Sequence, residues 1–332
     1  MHPLQAVRIV NQEVFLDRSA PDPSPIAGQA LIRPTKVLIG PADISACTGA
    51  IAHEGILGYQ FVGVVESCDD PDSSESWNGA RVVGHINISD PSSELARRGL
   101  ANHDPDRMVL GLRGRDGCLA ERFVLETRNL TRVPDEIEDE RAVFASSLAA
   151  AVHASQIVHI EGKPFVTVLG QGVSGLLCAQ VMTKLNASVR LLCTSAQRLE
   201  LCAKWGIKHR HLDDVGRRHD QDVVIDTTMD PSSLTTAMKM IRPRGTIVLQ
   251  ANPMPVLGTP EPTPIDYAPI IANELQVFGA RCGNISEGLN AMTTGGIDLS
   301  GLITKRFKFE DAINALRTAQ DSEQIGVIVE IS

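Results

Sequence analysis

Residues 166–175 read VTVLGQGVSG, so Gly170, Gly172 and Gly175 form a GxGxxG directly between an apolar strand pattern and a helical pattern. This feature constrains the fold more than any other. In such a turn the first glycine permits the sharp reversal, and the second lets the backbone approach a pyrophosphate. The third lets helix and strand pack closely, and the helix N-terminus offers unpaired N–H groups to phosphate oxygens. GxGxxG alone is a weak signal, and its context supplies the strength. The pattern predicts strands over 165–169, 189–193, 222–226, 246–250 and 275–279, with helices over 173–185, 196–205 and 232–241. Strands alternating with helices imply a parallel sheet covered on both faces. The apolar run 165–182 approaches membrane-spanning length, but its three glycines and two glutamines suit a buried strand, turn and helix better.

The residues before 145 follow another rhythm. Short apolar runs such as QALIRPTKVLIG, FVGVVES and CLAERFVLE alternate with Pro, Gly, Asp and Ser clusters, which predicts a β-rich region. Solvated turns are expected over 69–76 and 89–107. Helices are expected over 286–293 and 309–320, with a closing strand over 326–331.

Composition narrows the function classes. Lys and Arg total 31 against 40 Asp and Glu, a formal net charge of −9, which argues against nucleic acid and anionic membrane surfaces as partners. An apolar share of 43% excludes a disordered chain. The seven scattered cysteines include no CxxC and do not read as a disulfide framework. With no signal-peptide pattern at the start, a reduced, cytoplasmic protein is expected.

The GxGxxG predicts a dinucleotide site made by Gly170, Gln171, Gly172, Val173 and Gly175, together with Cys193, Thr194, Ser195 and Arg198 at the end of the second strand. An NAD-preferring site carries an acid there to grip the ribose hydroxyls. This strand ends Leu192-Cys193-Thr194-Ser195 without one. Thr194, Ser195 and Arg198 have the chemistry to hold a 2′-phosphate, so NADP(H) is favoured over NAD(H). The alternative for Arg198 is an ordinary exposed residue of a helix's first turn. The cluster His209, His211 and His219, with Arg210, Arg217 and Arg218 and interleaved aspartates, reads as a solvated loop before a strand.

The order of these segments resembles the medium-chain dehydrogenase/reductase superfamily, in its zinc-type alcohol, polyol and threonine dehydrogenase branch. The resemblance runs through GILGYQFVGVV at 55–65, GCLAERFVL, the PDE at 134–136, LGQGVSGL, DVVIDTT, IRPRGTIVL, NELQVFGARCG and GLITKRFKFEDAINAL. It implies an α/β protein with a GroES-like β-barrel catalytic domain (1–145 and 281–332) and a Rossmann doubly wound domain (146–280). It also implies a homodimer formed through the last Rossmann strand.

The resemblance breaks at the metal sites. The branch's catalytic zinc ligands fall at Gly40, at Tyr59 and Gln60 in place of Gly-His-Glu, and at Ser146. Zinc takes thiolate, imidazole or carboxylate ligands, so no zinc is expected. The relay hydroxyl falls at Ala42, the relay histidine near Ser45, and the four structural-zinc cysteines at Asp90, Ser93, Ala96 and Asp104. Gly326 stands where relatives often carry a basic residue on the pyrophosphate. Cys47, His53 and Glu54 have the chemistry of a relocated metal site, although loop residues of these types are ordinarily just solvated.

What remains is a zinc-independent NAD(P)(H) oxidoreductase acting on a small carbonyl, enone or quinone-type substrate. Tyr59 would donate a proton or hydrogen bond, and Gln60 would orient the substrate. The alternative for both is that they fill the space a metal left. Asp43 matches an aspartate that is architectural in the family. The competing reading of the whole chain is a non-catalytic dinucleotide-binding sensor or scaffold.

Overall fold

The computed structural model describes residues 3–68, 77–159, 162–216, 218–228, 230, 232–250 and 265–331. The turn expected over 69–76 and Arg217 of the basic cluster lie outside these. The described residues divide into two compact units, 3–146 with 303–331, and 147–302.

The first unit is built on the eleven-residue strand Gln29–Ile39. It pairs antiparallel with Gln60–Cys68, with Gly326–Glu330 and with Phe123–Glu126, at the centre of a seven-stranded sheet. Pro34 has no N–H to donate, and the register with Gln60–Cys68 shifts between Pro34 and Lys36. One core gathers the inward side chains: Val7, Ile32, Leu57, Phe61, Leu119, Phe123, Leu125 and Val329 are buried, and helix Ala312–Thr318 adds Ala312, Ala315 and Leu316. Phe61 and Phe123 meet edge to face with centroids 4.8 Å apart.

The segment expected as a solvated loop over 89–107 holds two short helical turns, Glu94–Arg97 and Ala101–His103. Ser93 caps the first by accepting the Ala96 N–H at 3.2 Å. A hydrogen bond from the Ser93 side chain, with one from the Asp106 N–H, holds the Asp104 carboxyl below the usual carboxylate range. Asp90 likewise accepts from the Ser92 backbone and hydroxyl at 2.8 Å each. Side-chain hydrogen bonds therefore organise the positions that the resemblance aligns with structural cysteines.

The second unit is a six-stranded, all-parallel sheet. Its order is Lys208–His211, Ser188–Cys193, Phe165–Leu169, Gln221–Asp226, Ile241–Leu249, Gln276–Gly279. Counted along the chain this is 3-2-1-4-5-6, the doubly wound Rossmann order. Helices Val173–Lys184, Ala196–Lys204 and Ser233–Met238 connect successive strands. The expected strands and helices are present with ends differing by a few residues.

Two features differ from the sequence reading. Residues 208–211, read as a solvated loop, form the edge strand Lys208–His211, with His209 opposite Leu191 and His211 opposite Cys193. Residues 281–302, expected with the catalytic domain, cluster with the parallel-sheet unit. Gln180 exchanges two hydrogen bonds with the Asp298 backbone, at 2.7 and 2.8 Å. Lys204 donates to Ser300 and Gln156 to Glu287.

Among the described residues no helix is long and apolar enough to cross a membrane.

Candidate functional site

In the second unit the loop 170–172 lies where the strand order reverses, between Phe165–Leu169 and Gln221–Asp226. Ligands of open α/β sheets bind beyond the carboxyl ends of strands at such a point. Each glycine has a distinct reason. Gly170 has φ +124°, and a Cβ there would strike the Thr227 hydroxyl. At Gly175 a Cβ would lie 2.5 Å from the Gly170 carbonyl oxygen and 2.8 Å from Thr227 Oγ1. Gly172 has ordinary dihedrals and nothing within 4 Å of a built Cβ. It is the N-cap of helix Val173–Lys184 and supplies no capping side chain, so the first helical N–H groups are left without a side-chain acceptor from the cap. Thr227, which the sequence reading missed, donates both its N–H and its hydroxyl to the Leu169 carbonyl at 2.9 Å. Its hydroxyl thereby becomes the surface against which two of the three glycines pack.

Gln171 connects this loop to the end of the second strand. Its Oε1 accepts from Thr194 N–H at 3.1 Å, Thr194 hydroxyl at 3.1 Å and Ser195 N–H at 3.2 Å. The structure therefore brings together the residues singled out in the sequence, but around a glutamine oxygen. Arg198 is neither splayed into solvent nor an exposed first-turn residue. It is 1% exposed. Its Nε donates to the Gln171 carbonyl at 3.0 Å and its Nη1 to Ser195 Oγ at 2.9 Å. Cys193 is buried, and burial raises its thiol pKa.

In the first unit the site forms around helix Pro41–Cys47, whose N-cap is Gly40. Asp43, 1% exposed, accepts the Gly40 N–H through one carboxylate oxygen and the Gly58 N–H through the other, both at 2.9 Å. It clamps the helix start to the residue preceding Tyr59. Burial pushes its pKa up to about 7 against those two donors.

A Cβ built on Gly40 would fall on the Tyr59 hydroxyl, 2.5 Å from Tyr59 Cζ and 2.7 Å from Gln60 Nε2. The phenol and the carboxamide thus converge on the point where a side chain at position 40 would begin. Tyr59 is half-buried against Ala42, Ile51, Val109 and Leu112, and Gln60 is buried.

The trio Cys47, His53 and Glu54 is otherwise engaged. Burial pushes the Cys47 thiol up to about 12, with the Asp43 charge adding to it. A His53 ring nitrogen lies 3.2 Å from the Ile56 carbonyl oxygen, and Glu54 accepts the Asn11 N–H at 3.0 Å. Among the described residues no group of three or more His, Cys, Asp or Glu is placed to hold a metal ion.

A GroES-like sheet unit and a Rossmann-type parallel-sheet unit on one chain define a class of two-part proteins. Residues 26–135 match the family description "Alcohol dehydrogenase GroES-like domain" and residues 174–294 match "Zinc-binding dehydrogenase". The L-threonine 3-dehydrogenase of Pectobacterium atrosepticum is 27% identical over 81% of this chain and 77% of its own. Two solved structures share the fold at 21% identity. One is described as a zinc-binding dehydrogenase of Sinorhizobium meliloti 1021 bound to NADP (TM-score 0.87), and the other is an alcohol dehydrogenase of E. coli CFT073 complexed with NADH (TM-score 0.88). Each alignment covers 98% of this chain and 99% of the other. The chain belongs to the medium-chain dehydrogenase/reductase superfamily.

Proposed function

We propose that this chain is a zinc-independent, NAD(P)(H)-dependent oxidoreductase that moves hydride to or from a small carbonyl, enone or quinone-type substrate. The observation that carries the reading is the filled position at Gly40. The family's zinc would need ligands at Gly40, Tyr59, Gln60 and Ser146, which offer no thiolate, imidazole or carboxylate. A side chain at position 40 would also start inside the Tyr59 phenol. This donor set does not fit zinc.

A nicotinamide dinucleotide, when bound, supplies or takes up the hydride. The chain's own residues do the rest. Tyr59 Oη and Gln60 Nε2 lie side by side next to Gly40, and we assign them as the donors to a carbonyl oxygen that gains negative charge as hydride arrives at carbon. The Tyr59 hydroxyl can then deliver its proton to that oxygen. Tyr59→Phe is expected to lower kcat by about a hundredfold, the usual worth of one such donor, while dinucleotide affinity stays unchanged. Steady-state kinetics beside a binding titration checks this.

The dinucleotide reading rests on the open Gly172 and the helix N-terminus that it leaves without a capping side chain. Relatives in complex with NADP and with NADH support it. NADP(H) is favoured because the second strand ends without an acid, and because Thr194 N–H, Thr194 hydroxyl and Ser195 N–H already converge on a single oxygen. A phosphate oxygen replacing the Gln171 amide would meet the same donors.

Titrating the protein with NADPH and NADH, by nicotinamide fluorescence, tests this first. Tighter NADPH binding is expected, and binding of neither overturns the proposal. Binding without turnover on quinones, enones or carbonyls leaves a dinucleotide-binding sensor or scaffold, a reading favoured by Ala42 at the relay-hydroxyl position.

A homodimer through the edge strand Gln276–Gly279 belongs to the same proposal. Phe278 on that strand is 41% exposed, and Ile271 and Tyr267, in and at the cap of the helix that precedes it in the chain, are 77% and 64% exposed. We place the protein in the cytoplasm, which the seven free thiols support.

A further inference from the structure

The loop between the first strand and helix of the parallel sheet carries an occupant of its own. Gln171 Oε1 accepts from the Thr194 N–H and the Thr194 hydroxyl, both at 3.1 Å, and from the Ser195 N–H at 3.2 Å. An amide oxygen has two lone pairs, so three donors exceed what it accepts well. Each contact is longer than the usual ~2.9 Å. Two successive backbone N–H groups with a hydroxyl beside them form a concavity that suits an anion. The neutral carboxamide is therefore an imperfect filling of a site whose donors match a group with several charged oxygens.

The side chain alone needs to move to free those donors, because the backbone around it is held separately. Arg198, 1% exposed, donates Nε to the Gln171 carbonyl at 3.0 Å and Nη1 to Ser195 Oγ at 2.9 Å. The Gly170 N–H reaches the Leu192 carbonyl at 3.3 Å. Neither anchor uses the Gln171 carboxamide. Among the described residues Gln171 Nε2 makes no hydrogen bond, so the three contacts at Oε1 are what seat the amide. Gln171 is half-buried and Thr194 is exposed, which leaves the place open to a ligand from solvent.

We propose that the Gln171 carboxamide is a two-position gate that sets the cofactor preference. It stays seated when NAD(H) binds, and the 2′-phosphate of NADP(H) displaces it and takes over the Thr194 and Ser195 donors. The proposal rests on the dinucleotide reading above and adds a specificity-determining residue to it. A phosphate monoester brings three terminal oxygens and a charge of about −1.5 to −2. Each donor then gains its own acceptor, and each bond becomes charge-assisted. A ribose 2′-hydroxyl offers one uncharged oxygen and gains nothing over the amide already in place. Displacing the amide weakens apparent NADP(H) affinity by the fraction of time the gate is closed.

Titration of the full chain and two variants with NADPH and with NADH tests the gate, read as the ratio of the two dissociation constants for each protein. Gln171→Ala removes the occupant and is expected to move the ratio about tenfold toward NADPH, the worth of about one hydrogen bond that no longer has to be broken. Gln171→Glu keeps the length and the acceptor but adds a charge that grips the donors and opposes a phosphate. It is expected to move the ratio tenfold or more toward NADH. Titration with 2′-AMP and 5′-AMP, which differ only in where the phosphate sits, should reproduce both shifts. The substitutions fall on a half-buried loop side chain, so both variants should keep the parent's thermal midpoint to within a few degrees. Ratios that stay within twofold of the parent in both variants overturn the gate and leave the dinucleotide reading standing. So does a shift toward NADH in Gln171→Ala, which would make the amide a direct contact of the phosphate. If the parent binds neither dinucleotide, the gate falls together with that reading.

Discussion

Gly172→Asp is expected to abolish dinucleotide binding while leaving the free protein at least as stable as before. The two effects have one geometric cause. Gly172 holds extended dihedrals, φ −82° and ψ −179°, that any residue adopts, and a Cβ there meets nothing within 4 Å. An aspartate therefore enters without strain. It stands at the N-cap of helix Val173–Lys184, where no side chain now caps the first N–H groups. Aspartate is among the best residues for that position, worth a few tenths of a kcal/mol over glycine, and its charge suits the helix N-terminus. A dinucleotide pyrophosphate would need the same N–H groups and the same space. It would meet a carboxylate already seated on them. Loss of about two charge-assisted hydrogen bonds, with like charges opposed, weakens binding by about a hundredfold or more. Thermal unfolding and NADPH and NADH titration of the same preparation check both halves. Gly175→Ala is the contrasting control, because its Cβ would press on the Gly170 carbonyl and the Thr227 hydroxyl. It should lower stability as well as affinity. If Gly172→Asp binds either dinucleotide as tightly as the parent, the loop 170–172 is not the phosphate site.

The parallel sheet was legible because its signals are local. Apolar strands of five or six residues, glycine turns and helical spacing lie consecutively along 165–250, and each implies the next. The edge strand Lys208–His211 was not legible. At a sheet edge, with exposed and half-buried residues alternating, KHRH needs no apolar face and reads as a solvated loop. Arg198 hid for a related reason. An arginine in a helix's first turn looks solvent-bound until the chain places the Gln171 carbonyl and the Ser195 hydroxyl around it. That Gly40, Tyr59 and Gln60 offer no thiolate, imidazole or carboxylate could be read from residue types alone. That Tyr59 and Gln60 converge on the space beside Gly40 could not be, because it depends on a long-range clamp. Asp43 ties the helix start at Gly40 to Gly58, which lies fifteen residues beyond Asp43, and no periodicity carries that information.

That clamp carries the largest expected effect on stability. Asp43→Ala leaves the Gly40 and Gly58 N–H groups buried without their acceptor. Each such loss costs about 1–3 kcal/mol. A combined cost of about 2–6 kcal/mol is a large part of the 5–15 kcal/mol that typically separates folded from unfolded states. The effect depends on pH, and its sign follows from the burial of Asp43. The carboxyl has a pKa of about 7 when folded against an ordinary value of 3.8. The folded protein therefore keeps this proton through a range in which the unfolded chain has released it. The contribution is fully present below the ordinary value and is lost as pH rises through about 7. The whole difference corresponds to about 4 kcal/mol. Asp43→Asn separates the two effects, because its carbonyl oxygen can accept one N–H while its amide nitrogen cannot accept the other. It never ionises, so the pH dependence should vanish with it. Chemical denaturation at pH 5 and pH 8 (roughly either side of the folded pKa) measures this directly. Asp43→Asn is expected to be less stable than the parent at the lower pH, with the gap narrowing at the higher one. A gap that stays the same at both pH values would mean that Asp43 is held as a carboxylate throughout, stabilised by its two backbone donors more than it is penalised by burial.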